Sequence, residues 1–150
     1  MTWNATGIMS SSSYLCDALN ENCIDICGIA EHWLFEKDLH FLNSIDNMYC
    51  SYAVSDFSLL MPSKRKVGKG GVCFLWKRTL NSMITPIDVQ DDRIIGIQIL
   101  LNPDHIVYIF QVYLPCSNHG VDTFKNYIDQ IENLIFSYSE KGMFIISGPF

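Results

Sequence analysis

The chain has 150 residues, 49% of them hydrophobic and 17% charged, with ten Lys and Arg against sixteen Asp and Glu for a net charge of −6. That length suits about one domain, and so apolar a composition leaves little room for long disordered tracts. The charge argues against a globally basic nucleic-acid binder. No apolar run reaches the roughly 20 residues of a membrane span, and the start Met1-Thr2-Trp3-Asn4 lacks a secretory pattern, so an intracellular protein, nuclear or cytoplasmic, is expected.

In chain order, Trp3-Asn4 reads as the tail of a first strand most of which is missing. Ser10 to Ser13 offer N-caps for a helix of about three turns carrying Leu15, Ala18 and Leu19, ended by Asn20 to Asn22. Ile24, Ile26 and Ile29 mark a strand, Leu39, Leu42 and Ile45 a short helix over Asp38 to Ile45, and Tyr49 to Val54 another strand. Ser55 to Gly71, with Pro62 and three glycines, reads as a loop. Three more strands follow: Gly71 to Lys77, Arg93 to Leu101 and His105 to Tyr113, the last two antiparallel across Asn102-Pro103-Asp104. A wide apolar stripe of Val121, Phe124, Tyr127, Ile128, Ile131, Leu134, Ile135 and Tyr138 predicts a helix that Gly142 stops, and Met143 to Ile146 reads as a buried strand. One α/β domain, or part of one, spans residues 1–150.

Six cysteines at 16, 23, 27, 50, 73 and 116 lie in apolar stretches and read as buried free thiols. Neither they nor the four histidines have zinc spacing. The run Gly68-Lys69-Gly70-Gly71 lacks the spacing of a phosphate-binding loop and precedes a strand, so it reads as a turn.

Chemistry is expected at strand ends. A crossover through the first helix lays the strands ending in Asn4 and Glu31 side by side and parallel, and an amide oxygen beside a carboxylate suits Mg²⁺. The plain alternative is a turn cap at Asn4 and a solvated loop carboxylate at Glu31. Tyr113, Pro115 and Asn118 close another strand with polar groups. Lys64, Arg65, Lys66 and Lys69 cluster, with Lys77 and Arg78 behind, either as a patch for nucleic-acid phosphates or as an ordinary solvated loop.

Taken together, Trp3-Asn4, Gly28-Ile29-Ala30-Glu31-His32-Trp33-Leu34, Gly68-Lys69-Gly70-Gly71-Val72, Val112-Tyr113-Leu114-Pro115 and Ile145-Ile146-Ser147-Gly148-Pro149-Phe150 stand in a recognisable order. The chain resembles the endonuclease/exonuclease/phosphatase superfamily, and within it the endonuclease domain preceding reverse transcriptase in non-LTR retrotransposons. This resemblance implies a partial four-layer α/β/β/α sandwich and Mg²⁺- or Mn²⁺-dependent hydrolysis of a phosphodiester, typically nicking of DNA. It implies Asn4 and Glu31 as the metal site, with Glu31 and Tyr113 as catalytic residues, Tyr113 positioning the phosphate.

The same resemblance implies departures. Where the superfamily has a catalytic aspartate, this chain reads Gly148-Pro149-Phe150, and proline supplies neither carboxylate nor N–H. The half of the domain bearing the catalytic histidine is absent, and His32 and His119 read as surface residues. An incomplete domain, inactive alone, with its missing half or a reverse transcriptase domain as partner, is expected. A non-catalytic nucleic-acid or protein binding module is the alternative. An unrelated nucleotide-binding α/β domain ranks last, because no Gly-x-Gly-x-x-Gly follows a strand.

Overall fold

A computed structural model describes residues 1–60, 67–114 and 121–149. Strands β1 (Thr2–Asn4), β2 (Ile26–Ala30), β3 (Tyr49–Val54) and β4 (Val72–Lys77) form one sheet in the order β1-β2-β4-β3. Strands β5 (Ile84–Ile87), β6 (Ile94–Asn102), β7 (His105–Val112) and β8 (Met143–Ser147) form a second in sequential order. Helix α1 (Ile8–Glu21) covers the first sheet and α2 (Val121–Tyr138) the second, so the layers run α/β/β/α.

The period of two along each strand sorts side chains into three cores. On β4, Cys73 and Leu75 meet Ile8, Leu15 and Leu19 of α1, while Phe74 and Trp76 enter the space between the sheets with Ile95, Ile97 and Ile99 of β6. On β7, Tyr108, Phe110 and Val112 turn outward to Ile131 of α2. Burial on both faces explains why β4 and β6 read as near-continuous apolar runs, and each fully buried isoleucine contributes about 2 kcal/mol.

Several expectations change. Helix α1 begins at Ile8, so Ser10 to Ser13 lie inside it and are not caps. The hydroxyls of Ser10 and Ser11 donate back to the Gly7 carbonyl, both at 3.0 Å, which satisfies them within the helix. The short second helix is a 3-10 helix, Glu36–Ser44. Strand β5 was not expected because Pro86 interrupts its pattern; as an edge strand paired only with β6, it tolerates the missing donor. Only part of the α2 stripe is inward: Ile131 is buried, whereas Phe124 and Ile135 are exposed. Cys23 is exposed, contrary to the expectation of buried thiols, because it lies in the turn between α1 and β2; Cys27 and Cys73 are buried as expected.

Strand β8 is an edge strand rather than a buried one. It pairs only with β7, in parallel; Phe144 and Ile146 face α2, and Met143 and Ile145 on the other face are 63% and 39% exposed. The open strands β1 and β8 are linked through Gln111 of β7, whose Oε1 accepts from Thr2 Oγ1 at 3.3 Å and Ser147 Oγ at 2.7 Å. Gly28 makes room for that amide: a Cβ there would lie 2.1 Å from Gln111 Oε1. These contacts bring the C-terminal ends of β1, β2, β7 and β8 to one end of the sandwich. Among the described residues no helix is long and apolar enough to cross a membrane.

Candidate functional site

Strands β1 and β2 are parallel with Asn4 opposite Ala30, so their C-terminal ends stand side by side. Immediately beyond, the backbone turns sharply, with Glu31 and Trp33 both at φ +57°. Left-handed conformations in L-residues cost about 1 kcal/mol each or more, and they persist where surrounding bonds fix them. Here Glu31 N–H donates to Gly71 O at 2.8 Å and Trp33 N–H to Gly70 O at 3.0 Å, while Gly7 N–H donates to Glu31 O at 3.0 Å. The glycine turn before β4 therefore holds the Glu31 turn in place. Asn4 Nδ2 then donates to Glu31 Oε1 at 2.8 Å, and Asn4 Oδ1 accepts from Thr6 N–H at 3.2 Å.

Directly behind Glu31, His32 is 1% exposed, which overturns its expected place on the surface. Its Nδ1 accepts from Leu34 N–H at 3.0 Å, so the proton resides on Nε2, which donates to Val54 O at 3.1 Å. Burial pushes the imidazole down to about 4 from 6.5, against the opposing pull of the Val54 carbonyl. His32 is a neutral post under the site, not a base. Because the folded value is depressed, stability is complete above pH 6.5 and is lost as pH falls from 6.5 toward 4, by about 3 kcal/mol in full. Imidazole NMR signals of His32 are accordingly expected to stay in the neutral form between pH 7.5 and 5, while urea midpoints decline over that interval; a midpoint titration near 6.5 would contradict this.

Glu31 opens onto a cleft of about 450 Å³ whose walls include Trp33, Asp56, Lys69, Arg93 and Tyr113. A neighbouring hollow of about 470 Å³ is lined by Glu36, Asp56, Asp88 and Asp91 and by none of the expected site residues. Among the described residues, Glu31 Oε1 has Asn4 as its partner and Oε2 has none, and no three His, Cys, Asp or Glu side chains converge. One half-buried carboxylate with a spare oxygen, steadied by an amide, fits a hard cation such as Mg²⁺, which keeps several of its waters.

No protein-family model matches this sequence, and no curated protein does. Solved structures do. An AP endonuclease from Leishmania major superposes with a TM-score of 0.75 at 14% identity, over 98% of this chain and 53% of its own. An AP endonuclease from Archaeoglobus fulgidus gives 0.70 at 16%, over 98% and 55%. A 3′ phosphatase from Neisseria, bound to a product DNA hairpin, gives 0.63 at 19%, over 99% and 56%. The fold is that of the endonuclease/exonuclease/phosphatase superfamily. The chain spans about half the length of these structures.

Within this endonuclease/exonuclease/phosphatase fold, Tyr113 reaches the same cleft as Glu31, half-buried, with its N–H donating to Arg93 O at 2.8 Å. Lys69 also lines the cleft, but its ammonium lies 3.6 Å from Asp56 Oδ2. Lys64, Arg65 and Lys66 fall outside the described residues, as do Pro115, Cys116, Asn118 and His119. In the parallel β7–β8 ladder Gln111 pairs with Ser147, and continuing that register brings Pro149 level with Tyr113. Sequence reading missed His32 as a support and Arg93 as a cleft residue. Arg93 was legible only as the charge directly before an apolar strand, where a strand end at the cleft was not foreseen.

Proposed function

We propose that this chain is the metal-holding part of a Mg²⁺-dependent phosphodiesterase domain of retrotransposon-endonuclease type, directed at DNA and unable to cleave it alone. The observation that carries the reading is the Asn4–Glu31 contact of 2.8 Å at the ends of two parallel strands, facing Tyr113 across one cleft. The retrotransposon type rests on the order of the sequence segments from Trp3-Asn4 to Gly148-Pro149. DNA as substrate is supported by the product-bound Neisseria structure of the same fold.

In this reading Glu31 holds Mg²⁺ or Mn²⁺ and Asn4 orients its carboxylate, while Tyr113 positions a phosphate. When bound, the metal polarises a phosphoryl oxygen and offsets the charge that grows there. Lys64, Arg65, Lys66 and Lys69 extend the phosphate contacts along a strand. Pro149, level with Tyr113, presents no carboxylate to activate water, so hydrolysis depends on groups from the remaining half of the fold or from a reverse transcriptase partner. The same substitution favours a second reading, a module of this fold that binds nucleic acid or protein without cutting it. Supercoiled plasmid incubated with the protein and Mg²⁺ is expected to stay supercoiled; relaxed circles that vanish with EDTA and with Glu31→Ala would show that Pro149 is no barrier.

A further inference from the structure

Two described cations line the cleft, and their circumstances differ. Lys69 is engaged by Asp56 at 3.6 Å. The Arg93 guanidinium has no hydrogen bond or ion pair among the described residues, although Asp91 and Asp92 precede it in sequence. Both carboxylates are committed to backbone donors: Asp91 Oδ1 accepts from Arg93 N–H at 2.7 Å, and Asp92 Oδ2 accepts from Phe57 N–H at 2.8 Å. What holds the guanidinium is aromatic. Its carbon lies 5.1 Å from the ring centroid of Tyr113 and 5.9 Å from that of Tyr127.

Two ring contacts hold the guanidinium in place, and its five N–H donors have no hydrogen-bond partner among the described residues. A fork held in this way loses little entropy when it takes a two-oxygen anion. We propose that Arg93 is the phosphate-binding cation of this cleft, gripping a phosphodiester of the nucleic-acid strand through its in-plane donors while Tyr113 and Tyr127 hold it. Lys69 contributes less, because binding there has to displace Asp56. This assignment rests on the phosphodiesterase reading and adds to it the residue that seats the strand beside Glu31.

The test is fluorescence anisotropy of a short labelled DNA duplex with the full chain in EDTA, at several salt concentrations, so that no metal at Glu31 contributes. Arg93→Gln is expected to weaken binding by about tenfold and to lower the salt slope by about one. Arg93→Lys, which keeps the charge but not the fork, retains the slope and loses part of the affinity, and it reports on the site if Arg93→Gln folds poorly. Lys69→Gln, whose cation is already engaged by Asp56, is expected to weaken binding by less than Arg93→Gln does. Unchanged binding by Arg93→Gln, or a larger loss in Lys69→Gln, overturns the assignment while leaving metal binding at Glu31 untouched. Absence of DNA binding by the unaltered protein overturns it together with the DNA reading, whereas Arg93-dependent binding by a protein that takes up no metal sustains it and overturns the phosphodiesterase reading.

Discussion

Glu31→Gln is expected to abolish divalent-metal binding by this chain without disturbing its fold. The substitution removes one charge and almost nothing else: a glutamine amide oxygen accepts from Asn4 Nδ2 as the carboxylate does at 2.8 Å, and the backbone bonds to Gly71 O and from Gly7 N are unaffected. A half-buried side chain so conserved in shape changes stability by no more than about 0.5 kcal/mol. Metal affinity behaves differently, because no group of three His, Cys, Asp or Glu side chains converges on the site among the described residues, and Asp56 on the same cleft is engaged by Lys69. Loss of a group that merely supports a ligand costs roughly 10- to 100-fold, and loss of the charged ligand itself costs more than that. Calorimetric titration with Mn²⁺ alongside thermal melts separates the two effects. A variant that binds metal normally, or that unfolds, contradicts the geometry described for Glu31.

Gly71→Ala is expected to destabilise the fold strongly through the support of the site. Gly71 sits at φ +81°, and a Cβ there would lie 2.4 Å from both Cε1 and Nε2 of His32. Strain in a left-handed alanine adds to the cost of driving a buried imidazole off Val54 O, for a total of about 3 kcal/mol. For a chain of this size that corresponds to a fall in melting temperature of about 6–12 °C. Gly70→Ala is the internal comparison. It too has a positive φ, +55°, but its Cβ would meet Asp56 Oδ2 at 3.1 Å, a contact that a shift of a few tenths of an ångström relieves, so little beyond the strain of about 1 kcal/mol is expected. Equal melting temperatures for the two variants would show that His32 does not prop the turn.

Periodicity and turn chemistry made most of the fold legible. Tyr49–Val54 and Val121–Tyr138 appear with the boundaries their patterns indicate, because each couples a consistent period to clear breakers. The misreadings occur where a local signal was overridden. Serines that look like caps bond back inside α1, Pro86 hides an edge strand, and β8 is apolar yet exposed because it ends a sheet. The partnership of Asn4 with Glu31 was readable because parallel pairing follows from strand-helix-strand order. His32, Asp56 and Arg93 were not, since what distinguishes them is burial, an ion pair and cation–ring contacts that form only once the chain has folded.

The most direct test of the central claim is a Mn²⁺ titration of the ¹⁵N-labelled protein, mapped by paramagnetic broadening of its amide signals and reversed with Mg²⁺. Broadening is expected first at Asn4, Glu31, Gly70 and Tyr113, around the one carboxylate that Asn4 orients. Broadening centred instead on Glu36, Asp88 and Asp91 in the neighbouring acidic hollow, or none at all, would contradict a metal site at Glu31.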